Sequence, residues 1–163
     1  MINIEPPSSP HTALNKSSLT RFLNRARTAI SLPGHVDVLL TSDAELKRLN
    51  RTFRGKNKAT DVLSFPADPF PGRPLEEQHA GDLAISLDTA ARQATHFAHP
   101  LHVEVKILLL HGLLHLAGED HETDAGQMAA REANLRQHFK LPPTLIERVT
   151  APSRPAKRKS VKA

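Results

Sequence analysis

The chain has 163 residues and no cysteine, tryptophan or tyrosine. Without cysteine there is neither a disulfide framework nor a thiolate zinc finger, which suits a reducing compartment. Without Trp and Tyr there is no extended aromatic platform for stacking a single nucleic-acid strand. No apolar run is long enough to cross a bilayer, because the longest, around residues 107–117, is interrupted by two histidines. The opening M-I-N-I-E-P-P-S-S-P lacks both the basic and the apolar region of a signal peptide. A soluble, cytoplasmic protein with no membrane partner is expected. Acid is missing from the end of the chain: residues 150–163 carry Arg154, Lys157, Arg158, Lys159 and Lys162 and no Asp or Glu. The chain holds 22 Lys and Arg, and those outside this tail equal the 17 acidic residues, so the excess of +5 lies wholly in the tail. Such a tail suits nucleic-acid contact or simple solvation.

The length fits one domain with a real core. Residues 1–13 are Pro/Ser-rich and read as a loose N-terminus, 14–149 as the folded domain, and 150–163 as a disordered basic tail. Ser18 is placed to cap a helix with Leu19, Phe22, Leu23, Ala26 and Ile30 on one face, stopped by Pro33-Gly34. H-V-D-V-L-L-T, residues 35–41, reads as a strand. Ser42 with Glu45 makes a capping box for a helix that turns Leu46, Leu49 and Phe53 inward and ends at Gly55. D-V-L-S-F at 61–65 is a second strand, and a Pro-rich loop spans 67–80. G-D-L-A-I-S-L at 81–87 alternates as a strand, and Asp88 caps the next helix. Pro100 opens a helix that runs to Gly118, and Thr123 or Asp124 caps a last one ending near Lys140. Helices outnumber strands without strict alternation, which predicts an α+β domain with a small mixed sheet packed against helices.

The chemistry concentrates in H-G-L-L-H-L-A-G-E-D-H, residues 111–121. His111 and His115 lie four apart, so on a helix they share a face. Gly118 can end that helix in a left-handed turn and bring His121 back over it. Burying two imidazoles in so apolar a run costs free energy unless both find partners, and one metal supplies both. His111, His115 and His121 are therefore the predicted ligands of one zinc per chain, with an open fourth position. An open position can hold and acidify a water. The other histidines show no such arrangement.

The spacing H-x-x-x-H-x-x-G-x-x-H matches that of metzincin proteases, which carry their general-base Glu directly after the first histidine. Here that residue is Gly112. The scaffold thus reads as zincin-like, with a histidine-bearing metal helix, while peptide hydrolysis lacks its base. Glu119 and Asp120 follow the helix end, and Asp120 is a candidate for orienting a ligand imidazole. The densest positive charge of the body is K-R-L-N-R-T-F-R-G-K-N-K, residues 47–58. Arg54, Lys56 and Lys58 sit at its glycine turn, where a guanidinium can fork onto a phosphate and lysines can support a polyanion. Phe53, Phe65 and Phe70 lie nearby, and core packing is expected to account for at least two of them.

Three blocks resemble the YbeY family of bacterial metal-dependent endoribonucleases, the rRNA maturation factors: L-N-R-T-F-R-G-K-N-K-A-T-D-V-L-S-F-P (49–66), G-D-L-A-I-S (81–86) and the histidine block (111–121). Their order and spacing also match, over residues 15 to about 140. The resemblance implies a zincin-like α+β fold and a zinc on the three histidines. It implies action on small-subunit ribosomal RNA, including 16S 3′-end maturation, and a part in ribosome quality control. The small ribosomal subunit and its assembly factors are then the partners. Arg54 falls where the family has its functionally important arginine. Ala59 stands where the family often has Pro, and Glu119 where it often has an aromatic residue. The expected activity is a single-strand-specific endoribonuclease. The competing readings are a zincin-like metalloprotease or other amide hydrolase, against which Gly112 argues, and a non-catalytic assembly factor whose zinc is structural and closed by a fourth protein ligand.

Overall fold

The computed structural model describes residues 1–6, 9–11, 13–143, 146 and 148. The basic tail at 150–163 lies outside the described residues. Four strands form one mixed sheet in the order β1-β2-β4-β3. These are β1 (Ile2–Ile4), β2 (His35–Thr41), β3 (Val62–Pro66) and β4 (His79–Ser86). β1, β2 and β4 run parallel, and β3 pairs antiparallel along the outer edge of β4. The expected loose N-terminus is corrected at its start. Ile2, Asn3 and Ile4 pair with Val38, Leu39 and Leu40, and Ile2 is buried. Three residues ahead of a proline pair carry too short an alternation to read as a strand, and the sheet edge supplies the pairing.

Five helices complete the α+β domain: α1 (Lys16–Ala29), α2 (Asp43–Arg54), α3 (Leu87–His96), α4 (Leu101–Leu116) and α5 (Gln127–His138). Because strand side chains alternate, the sheet has two distinct faces. Val36, Val38, Leu40, Leu83 and Ile85 point into the main core with α1, α3, α4 and α5. Leu63 and Ala84 point the other way, into a small cluster under Leu46 of α2. α4 is apolar nearly all round and is the central element, with Val105, Ile107 to Leu110, Leu113 and Leu114 fully buried.

Several local expectations shift by a few residues. Asn15, not Ser18, caps α1, accepting from the Ser18 N–H. Ser86, not Asp88, caps α3, accepting from the Thr89 N–H. The Asp88 carboxylate instead reaches across to the Asp43 N–H at the start of α2. Gly126 stands at the cap of α5, while the Asp124 carboxylate accepts from the Gly126 and Met128 N–H groups. The Pro-rich loop contains a single 3-10 turn at Leu75–Glu77, and the buried Gln78 amide ties it to the backbone of Phe70 and Arg73. Two of the three phenylalanines near the basic turn are not core: Phe53 is 64% exposed and Phe70 69%. Phe53 meets Phe65 edge to face at the rim of the sheet, 5.5 Å between centroids.

Candidate metal centre

α4 ends where the sequence needs it to. The Gly118 N–H returns to the His115 carbonyl and the Glu119 N–H to the Leu114 carbonyl. This is a Schellman motif, and it requires the left-handed φ of +92° that Gly118 adopts. The reversal carries His121 back over the last turn. Its ring centroid lies 5.3 Å from that of His111 and 5.5 Å from that of His115, and those two are 4.7 Å apart. One ring nitrogen from each of the three lies within 4.8 Å of the others. Among the described residues no fourth side chain joins this group.

The hydrogen bonds decide which nitrogens are available. His111 Nδ1 is 2.7 Å from Glu132 Oε2, a carboxylate that can only accept, so Nδ1 carries the proton. His115 Nδ1 likewise donates to the Glu119 carbonyl at 2.9 Å. Both Nε2 atoms are left with a lone pair, and they face each other at 3.2 Å. Two nitrogens that each bind one tetrahedral ion at roughly 2.0–2.1 Å lie about 3.4 Å apart. His121 Nδ1 is buried with no hydrogen-bond partner among the described residues. Facing lone pairs and an orphaned buried nitrogen are both unfavourable unless a cation sits among them. The donor set therefore fits a first-row divalent metal. Burial, and next the neighbouring His111, hold the His115 pKa below the ordinary imidazole value, which keeps it in the neutral, ligating form.

The histidines open onto a cavity of about 460 Å³, also lined by Arg54, Thr60, Asp61, Ser64, Pro66, Asp120 and Glu122. Arg54 is brought there from the far end of α2, and its guanidinium donates to the Ser64 carbonyl of β3 at 3.1 Å. That carbonyl belongs to the outer edge of the sheet, so Arg54 bridges the basic turn to the metal side. Lys56 and Lys58 are exposed and do not line the cavity. The Lys58 carbonyl accepts from the buried Asn50 amide, which shapes the turn. The Asp120 carboxylate accepts from the Glu122 N–H and bonds to no imidazole. The groups that orient the imidazoles are Glu132 and the Glu119 backbone. The Glu119 carboxylate pairs with Arg131. Sequence reasoning missed Glu132. Its signal is a carboxylate four residues after Met128 and three before Leu135, on the buried stripe of α5.

Gly112 also receives its explanation. A Cβ there would stand 2.8 Å from Leu83 Cδ2 and 3.3 Å from Val62 Cγ2. Its carbonyl accepts from the Ser64 hydroxyl at 3.2 Å. Glycine suits this point because α4 lies directly on β3 and β4, and any side chain there would press on Leu83 and Val62. A side chain at that position, the general base of the metzincin proteases included, would require Leu83 and Val62 to shift.

A small α+β domain with a mixed sheet, and with three convergent imidazoles at the end of a buried helix, defines a zincin-like metal-binding fold. Comparison with known proteins narrows the class. Residues 7–140 match the family model described as Endoribonuclease YbeY. The chain is 52% identical over 143 residues to the Endoribonuclease YbeY of Koribacter versatilis, covering 88% of this chain and 90% of that one. It is 48% identical over 136 residues to that of Solibacter usitatus, covering 83% and 87%. The solution structure of TM1509 from Thermotoga maritima superposes with a TM-score of 0.53 at 27% identity, over 97% of this chain and all of the other. The chain belongs to the endoribonuclease YbeY family.

Proposed function

We propose that the chain is a zinc-dependent, single-strand-specific endoribonuclease that matures ribosomal RNA, acting at the 3′ end of 16S rRNA and in ribosome quality control. Family membership supports the endoribonuclease activity in rRNA maturation. The observation that carries the chemistry is the pairing, in one cavity, of three metal-competent imidazoles with the Arg54 guanidinium. His111, His115 and His121 hold the metal. Zinc held by these imidazoles would supply Lewis-acid chemistry, for a phosphoryl oxygen or for a water. Arg54, exposed at the rim and anchored by one N–H on Ser64, orients the phosphate and stabilises charge developing on it. Asp61, Asp120 and Glu122 around the cavity favour a cation inside it and leave Arg54 as the cavity's own positive group for the phosphate. Lys56 and Lys58 contribute to the strand's approach over the exposed turn. The small ribosomal subunit and its assembly factors are the partners, and the compartment is the cytoplasm. Among the described residues no helix is long and apolar enough to cross a membrane.

The test uses purified protein, defined single-stranded and duplex RNA, and a casein-like peptide. Wild type should cut the single strand. His115→Ala should lose bound metal and reduce cleavage to background. Arg54→Ala should keep its metal and lose about 10²–10³-fold in kcat, the scale of one transition-state donor. Peptide cleavage that survives Arg54→Ala would overturn this in favour of a protease. Tight binding to ribosomal subunits without cleavage of either substrate would point instead to an assembly factor.

A further inference from the structure

The family match ends at residue 140, yet the chain beyond it reaches the back of the metal centre. Leu141 and Ile146 are buried in the main core. The Ile146 N–H donates to Glu132 Oε1 at 3.2 Å, while Oε2 of the same carboxylate takes the Nδ1 proton of His111. Two residues on, Arg148 forks onto Glu104 with two bonds of 2.8 Å. His99 Nε2 reaches the same carboxylate at 2.6 Å, and the Arg148 guanidinium lies 4.0 Å over the Phe97 ring. Glu104 and Glu132 are both 0% exposed. A carboxylate taken fully out of water is tolerated only when its oxygens are paired and hydrogen-bonded. Each of these two receives a partner from the segment past residue 140. Glu104 lies in the first turn of α4, seven residues before His111, or about 10 Å along the helix. The segment therefore fastens α4 at its start directly, and at its ligand end through α5.

We infer that this C-terminal segment completes the metal centre: Ile146 fixes the Glu132 carboxylate, and Glu132 is a positioning residue that sets the tautomer and ring orientation of His111 for the metal. The inference rests on the reading of the histidine triad as a metal site. The physical reason is that a carboxylate with one oxygen on a backbone N–H cannot swing away from the imidazole. It therefore holds the Nδ1–H form and keeps the Nε2 lone pair turned to His115. Partners of this kind behind a ligating histidine typically change metal affinity about 10–100-fold.

The experiment uses full-length variants and two readouts. Zinc affinity is measured by competition with a chromogenic chelator, and the His111 tautomer by imidazole nitrogen NMR on metal-free protein at fixed pH. Circular dichroism confirms the fold of each variant. Glu132→Gln should weaken zinc about 10–100-fold and shift the His111 tautomer. Ile146→Pro removes the N–H and should act in the same direction. Ile146→Ala removes packing but keeps the N–H, so it should lower Tm while leaving zinc affinity and tautomer as in the full chain. Equal zinc affinity in Ile146→Pro and Ile146→Ala would overturn the role of the segment. An unchanged affinity and tautomer in folded Glu132→Gln would overturn the role of Glu132. If Ile146→Pro does not fold, Glu132→Gln decides by both readouts. If wild type itself holds no zinc, the proposed function fails and the inference about the metal centre with it, and an unshifted tautomer in Glu132→Gln would separately overturn the orienting role of Glu132.

Discussion

Helices α2 and α4 lie on opposite faces of one sheet, and they are built by opposite means. α2 is specified locally. Ser42 accepts from the Glu45 N–H at its start, Asp43 and Glu45 fill the first turn, and Arg51 and Arg54 fill the last. Gly55 closes it in the left-handed conformation. Only Leu46 and Asn50 of its residues are buried. α4 has no side-chain cap at Pro100 and buries most of its length, with apolar residues on every side. Burial stands where capping stands in α2. The difference matches what each helix carries. On the proposed function, metal ligands need a rigid, dry support, and His111 and His115 ride on the buried helix. On the same proposal, a group that meets a polyanion needs solvent access, and Arg54 rides on the exposed helix. The cavity forms where the end of α2 and the end of α4 come together at the β3 edge.

This contrast can be broken by mutation. The largest effect on stability belongs to α4: Leu109→Ala removes a fully buried side chain and should cost about 2–5 kcal/mol in urea melts. Ser42→Ala deletes the cap of α2 and should cost about 1 kcal/mol. Equal losses from the two would show that α2 depends on the core as much as α4 does. The smallest effect is an acid dependence at the start of α2. Burial alone would raise the Asp43 pKa. Hydrogen bonds from Ser86, Thr89 and Arg92, and the Arg92 charge, outweigh that and hold it below the ordinary value of 3.8. A carboxylate depressed on folding contributes its full stability above its unfolded pKa, and this is lost as pH falls through the folded value. Asp43→Asn should therefore be less stable than wild type at pH 7, and the gap should close as pH falls below the ordinary value of 3.8, which urea melts at neutral and acid pH would check. A gap that persists undiminished at low pH would mean that the ionised carboxylate is not the source.

Much of this was legible because its causes are local. The strand at His35–Thr41 stands at the expected residues, since period-two alternation and its bounding turns fix it. The ends of α2 follow from Ser42, Glu45 and Gly55. The convergence of three histidines was readable because His111 and His115 are one helical turn apart and Gly118 marks the reversal. Phe53 was misread because helical periodicity reports a face and not what covers it: the residue shares the Leu46 face but projects past the sheet. For Asp120, sequence proximity to a histidine does not set direction. Its carboxylate turns to the Glu122 backbone, while Glu132, eleven residues beyond His121, lies against His111.

By itself the sequence determined the α+β class, the helix that carries two imidazoles, the turn that returns the third, and the cation that ends α2. These depend on backbone conformations chosen within a few residues. Only the tertiary structure decided that Gly112 serves helix-to-sheet contact, that β1 joins the sheet, and that two buried carboxylates are held from beyond residue 140. Each of these depends on which surfaces meet. A buried charge or a missing Cβ takes its meaning from the atom opposite, and that atom is distant in the chain.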